Sequence, residues 1–272
     1  MLKNHIIYVT SVTNKIQPQI KDNDMPPYEK HLETSVNRTG NDYQAMHDWL
    51  DNNPDKNIKT ERHNLDILPE NIEYVRSNWG DEAVVEYLQH IAEDLLMKEI
   101  AILEKSGCPE EAILHSVEVA RKALEISSRV KIPVDRKLIA RGAVFHDLGK
   151  AKTYGMQHGE IGAQMAADLG LEQEIINIIL KHIRGGLTEA EAIELGLPVR
   201  DYTLRTPEEK IVIYADRMVD IYVDKIVPDT NEKDAEDRFV GILQQYEKYG
   251  KNEITLKRYI VLHQEIHEWM ND

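Results

Sequence analysis

A single cysteine, Cys108, occurs among the 272 residues. It cannot close an internal disulfide, so the cysteine count gives no sign of an oxidising compartment. We read it as a structural thiol beside a helix rather than a reactive one. Long apolar runs are also missing: none approaches the ~18–20 residues that a membrane span needs. The N-terminal patch Ile6-Ile7-Tyr8-Val9 lacks a real hydrophobic region and a small-residue cleavage site. We therefore expect no signal peptide, and a cytoplasmic location. Positive charge is scarce, with 33 Lys and Arg against 48 Asp and Glu, a net charge of −15. Such a chain repels a phosphate backbone and is a poor general binder of duplex nucleic acid. A local basic cleft for a small phosphorylated ligand remains compatible with it.

What the chain does have is ordinary core-forming material, 42% hydrophobic residues against 30% charged, enough for one large domain or two modest ones. Residues 5–12 read as a short strand, and 13–41, polar with Pro18 and Pro26-Pro27, as a loop. Short helices are expected at 42–51 and 70–78, and a longer one at 81–105. Gly107-Cys108-Pro109 is the clearest boundary, and Glu110-Glu111 after the proline suits a helix start. From there the pattern is helical to the end: 110–129, 134–148, 157–168, 172–183, 188–195, 207–227, 232–249 and 254–270. The expected fold is all-α, an irregular helical bundle. It divides into an N-terminal region (1–105) of unknown role, a central domain (106–228), and C-terminal helices (229–272) packed on it.

Six residues of metal-ligand type fall in the central part: His115, His146, Asp147, His158, His182 and Asp216. The helix at 134–148 is apolar on most of its circumference, so it belongs in the centre, and His146-Asp147 then close it where a buried element meets a cleft. A carboxylate there needs a partner or a metal. Adjacent helical positions differ by about 100°, so both side chains reach a site at the helix end from different angles. Asp216 is conspicuous in the apolar run Ile211-Val212-Ile213-Tyr214-Ala215. Lys150, one turn after the pair, suits a phosphate oxygen, and Arg184 beside Gly185-Gly186 suits an anionic ligand.

The pattern His115, His146-Asp147, Asp216 resembles the HD-domain metal-dependent phosphohydrolase superfamily. The string Phe145-His146-Asp147-Leu148-Gly149-Lys150 is similar to its "HDIG" branch, with Leu148 where isoleucine is common. Gln157-His158-Gly159-Glu160 and Lys181-His182 resemble the six-ligand, dinuclear members. These include cyclic-dinucleotide phosphodiesterases and bacterial symmetrical diadenosine-tetraphosphate hydrolases. The resemblance covers roughly 106–225. It implies two divalent metal ions (Fe, Mn, Mg, Co, Ni or Zn) held by the six residues and phosphate contact by Lys150. The implied reaction is hydrolysis of a nucleotide or other small phosphate ester through a metal-bound hydroxide. The alternatives are an HD-type di-iron oxygenase, or a non-catalytic nucleotide sensor. The "GYP" segment of cyclic-di-GMP phosphodiesterases and the acidic pair of the (p)ppGpp hydrolases are both absent, so neither substrate is implied.

Arg217 and Asp220, beside Asp216, read either as supports of the ligand residues or, slightly favoured, as an ordinary surface ion pair. His47, His63, His90 and Asp94 have ligand chemistry but follow no recognisable spacing, and read as scattered surface residues.

Overall fold

The computed structural model describes residues 28–223, 226–228 and 230–271. The strand expected at 5–12 lies outside them. Among the described residues there are sixteen α-helices and no strand, an all-α fold. No helix among them is long and apolar enough to cross a membrane.

The N-terminal part differs most from expectation. The segment read as a loop carries α1 (Tyr28–Thr39). Its inward face is polar: His31 and Ser35 are buried, so the apolar stripe that announces an amphipathic helix is absent. After α2 (Gln44–Asp51) comes α3 (Lys56–Arg62), a helix that buries no residue and leaves no periodic signal. Next come α4 (Leu68–Trp79) and α5 (Asp81–Leu95). The helix expected over 81–105 breaks at Leu96, where ψ is 9°, and continues as α6 (Met97–Ser106).

The centre is built from α7 (Glu110–Arg129), α8 (Arg136–Phe145), α9 (His158–Asp168), α10 (Gln173–Lys181) and α12 (Pro207–Val223). Between the last two, α11 (Glu189–Glu194) opens on a capping box of Thr188 and Glu191. The C-terminal span expected as one helix over 232–249 is three pieces: α13 (Glu232–Asp237), α14 (Phe239–Gln245) and α15 (Glu247–Gly250). The last helix is α16 (Glu253–Asn271).

Helix α8 is the axis of this arrangement, packed against α6, α7, α10 and α12. Ile139, Ala140, Ala143, Val144 and Phe145 have no exposed surface. Burying a side chain such as Ile, Val or Phe contributes about 1.5–3 kcal/mol, against propensity differences of under about 1 kcal/mol, so packing decides where α8 sits. Buried apolar side chains from Met46 to Leu103 are continuous with those from Val117 to Ile266, and α5 packs on α7. A small second core of Ile183, Leu187, Ala192, Leu197 and Tyr202 lies under the segment between α10 and α12.

After Phe145 the chain turns through His146 and Asp147 into a short 3-10 helix, Leu148–Ala151. This turn presses on the start of α9. A Cβ at Gly149 would stand 1.9 Å from the His158 carbonyl oxygen and 2.8 Å from the Gly162 amide nitrogen. Both atoms are backbone and cannot swing aside. Gly149→Ala is therefore expected to cost at least about 1–3 kcal/mol as overpacking and to lower the thermal unfolding midpoint. Gly241→Ala on α14, with nothing within 4 Å of its Cβ, is the control and is expected to gain up to about 1 kcal/mol.

Candidate metal centre

The six predicted ligand residues converge from five helices. His115 comes from α7 and Asp216 from α12. His146 and Asp147 follow the end of α8, His158 opens α9 and His182 follows α10. Asp147 stands between the others and is almost fully buried. Its Oδ2 lies 3.2 Å from His146 Nε2 and 4.0 Å from His115 Nε2. Its Oδ1 lies 3.2 Å from His158 Nε2 and 3.4 Å from His182 Nε2. Asp216 Oδ1 completes the first side, 3.1 Å from His115 Nε2 and 3.4 Å from His146 Nε2. One carboxylate thus faces a separate pair of imidazoles with each oxygen.

Backbone carbonyls decide which ring nitrogen faces the centre. Nδ1 of His146 lies 2.7 Å from the Ala143 oxygen, that of His158 2.7 Å from the Gly155 oxygen, and that of His182 2.6 Å from the Ile179 oxygen. A carbonyl only accepts, so in each neutral ring the proton sits on Nδ1 and Nε2 keeps its lone pair. Nε2 of His158 and Nε2 of His182 are then 2.7 Å apart, a repulsive contact of lone pairs unless a cation or proton lies between them. Nε2 of His146 is buried without a hydrogen-bond partner. A donor set of four imidazoles and two carboxylates, oriented this way, fits divalent cations.

Charge is balanced tightly. Burial works against a charged His146, but Asp147 and Asp216 outweigh it and hold the imidazole up to about 10. Burial pushes both carboxyls up, yet the facing imidazoles keep them well below the usual carboxylate range. Burial holds His182 below its ordinary value. Lys150 pairs with Asp147 Oδ2. Burial lowers its pKa, and the nearby carboxylates of Asp147, Asp216 and Asp220 more than restore it.

The surroundings revise some expectations. Arg217 is buried rather than on the surface; it donates to Tyr259 Oη at 3.1 Å and pairs with Asp220 at 3.0 Å. Asp220 also groups with His115 and Asp216 as possible ligands. Cys108 is half-buried with Sγ 3.6 Å from the Leu148 oxygen, a structural contact behind the His-Asp turn. Two clefts differ in sign. A groove of about 990 Å³ beside His115 is lined by Glu93, Glu104, Glu110, Glu111 and Glu118, with Arg38 and several apolar side chains among them. A smaller cleft of about 350 Å³ is lined by Arg184, Lys248 and Lys251, with Glu247 and Asn252. Arg184 and Lys251 hold φ of 52° and 60°, a region that side chains other than Gly, Asn and Asp seldom adopt. Lys251 escaped the sequence reading, because the Gly250 turn before it signalled only a helix end.

The family model for the HD domain matches residues 113–219. An uncharacterized protein of Methanocaldococcus jannaschii is 36% identical over 173 residues, 62% of this chain and 95% of that protein. A tRNA (cytidine(56)-2'-O)-methyltransferase of Picrophilus torridus is 32% identical over 61% of this chain, which spans only 45% of that enzyme. Ribonuclease Y of Pseudothermotoga lettingae is 40% identical over 25% of this chain and 13% of its own length. No solved structure matches.

Without metal, Asp147 and Asp216 hold His146 above its ordinary value against burial, and Asp216 does the same for His115, so loading the centre is expected to displace protons. Calorimetric titration of Mn²⁺ or Zn²⁺ near neutral pH, in two buffers of different ionisation enthalpy, is expected to report net proton release as the centre fills. Affinity is expected to weaken as pH falls. Uptake without proton release would contradict the assigned charge state.

Proposed function

Since the chain belongs to the HD-domain family, we propose that it is a divalent-metal-dependent phosphohydrolase or phosphodiesterase acting on a nucleotide or another small phosphate ester. The observation that carries this reading is the position of Asp147, one oxygen toward His115 and His146 and the other toward His158 and His182. That is the arrangement of a carboxylate shared between two cation positions. Bound there, divalent cations would activate water and neutralise charge on a phosphoryl oxygen.

The protein's own groups supply the rest. The buried carboxylates and imidazoles would hold the cations in a site closed to bulk water on the α8 side. Lys150, a quarter exposed beside Asp147, is an ammonium at the mouth of the site and can hold a phosphoryl oxygen as a point charge. Arg184 follows His182 by two residues, and its cleft with Lys248 and Lys251 suits the remaining phosphates. The pKa of Lys251 is lowered by burial and then by the neighbouring Arg217 and Arg184, with Asp220 opposing them. The acidic groove on the His115 side opposes a long polyanion there. This supports a small substrate or a strand end over a duplex. The ribonuclease among the relatives supports a nucleoside-linked phosphodiester as the bond class.

The test is turnover of metal-loaded protein on a panel of aryl phosphodiesters, mononucleotides, dinucleotides and short RNA, with an oxygen electrode alongside. Asp147→Asn is expected to abolish turnover. Lys150→Ala is expected to lower kcat about 10²-fold, and Lys251→Ala to raise KM about tenfold with kcat kept. Folded, metal-loaded protein that hydrolyses nothing on the panel would sink the proposal, and oxygen uptake would point to the oxygenase chemistry instead.

A further inference from the structure

Among the described residues, the histidines of the N-terminal part are gathered rather than scattered, and three of the four are buried. His31, His47 and His90 are buried, and with His63 their rings form one cluster, with centroids 4.2–5.9 Å apart. Two carboxylates enter it, each one helical turn after a histidine: Asp51 after His47 on α2, and Asp94 after His90 on α5. We propose that Asp51, His63, His90 and Asp94 form a second metal site, separate from the HD centre, for a borderline divalent transition ion such as Zn²⁺.

Four observations carry this. One ligand atom from each residue lies within 4.8 Å of all the others. Nε2 of His90 is 3.5 Å from Asp51 Oδ2 and 3.3 Å from Asp94 Oδ2, and Nε2 of His63 is 3.7 Å from Asp94 Oδ2. The tautomer of His63 is set as in the HD centre: its Nδ1 lies 2.8 Å from the Lys59 carbonyl oxygen, which leaves the Nε2 lone pair facing His90 Nε2 at 3.3 Å. Finally, each carboxylate is steadied from outside on its other oxygen. Lys59 Nζ is 2.9 Å from Asp51 Oδ1, and His31 Nε2 is 3.2 Å from Asp94 Oδ1. Orienting partners of this kind are what metal-ligating carboxylates carry.

Two imidazole nitrogens with two carboxylate oxygens give a four-ligand N/O set of the types Zn²⁺ takes, while the imidazoles argue against Mg²⁺ or Ca²⁺. The ligands come from α2, from α5 and from the end of α3, a helix that buries nothing of its own. An ion here would pin α3 to the other two, work that apolar packing does not do.

Co²⁺ uptake by the full chain, followed by visible absorption, tests this. Asp147→Ala with Asp216→Ala silences the HD centre and leaves the second site intact. That protein is expected to bind one equivalent of Co²⁺ and to unfold at a higher temperature with it. Adding His63→Ala is expected to weaken binding at least tenfold and remove the absorption. If that variant does not fold, the nearly isosteric Asp51→Asn should give the same loss. No Co²⁺ uptake by the folded, HD-silenced chain overturns the proposal, as does uptake that survives both His63→Ala and Asp51→Asn. Loss of metal from the HD centre alone would leave it standing.

Discussion

Asp147 is an anion enclosed at the end of a helix that is buried on nearly every side. A lone carboxylate in that position would cost several kcal/mol or more, so the fold has to bring partners to it. Imidazoles from α7, the α8 end, α9 and α10 surround its two oxygens, and Lys150 closes the solvent side. Each of those elements must end, begin or pass within reach of one point. This explains the irregular bundle: its helices are arranged around the end of α8 rather than along a common axis. It also explains the close approach at Gly149, where the turn after Asp147 lies directly on the backbone that presents His158.

Charge is partitioned around this point. The large excess of acid in the chain is not spread evenly; five glutamates line the groove on the His115 side. Arg184, Lys248 and Lys251 line a cleft on the α16 side, where Arg258 donates to the Arg184 carbonyl and the Arg217 guanidinium lies over the Tyr259 ring at 4.8 Å. Two of these cations sit in a left-handed backbone conformation. Strain of that kind persists only where the surroundings over-determine it. At Arg184 the carbonyl accepts from Arg258 of α16, and at Lys251 the backbone N–H donates to the Glu247 carbonyl.

Legibility in the sequence followed burial chemistry. Helices α7, α8 and α12 bury apolar stripes and could be read from periodicity. Helix α1 buries His31 and Ser35, so its sequence carries the polar pattern of a loop; α3 buries nothing and carries no pattern at all. The break at Leu96 has neither glycine nor proline at it, so local signals ran straight through it. In the site, His146-Asp147 and Asp216 stood out because ionisable groups interrupt apolar runs. The surface reading of Arg217 failed because its burial comes from α16, some forty residues away.

The chain's sequence by itself determined the helical class, the order of the main helices, and the residue types capable of holding a metal, because these depend on local periodicity and on side-chain chemistry. Only the tertiary structure decided which nitrogen of each histidine faces inward, that the two oxygens of Asp147 address different pairs of imidazoles, and that His63 and His90 meet between Asp51 and Asp94. Those features arise from carbonyls, helix ends and neighbours brought together from distant parts of the chain. No spacing along a sequence encodes the distance between atoms that meet only after the helices have packed.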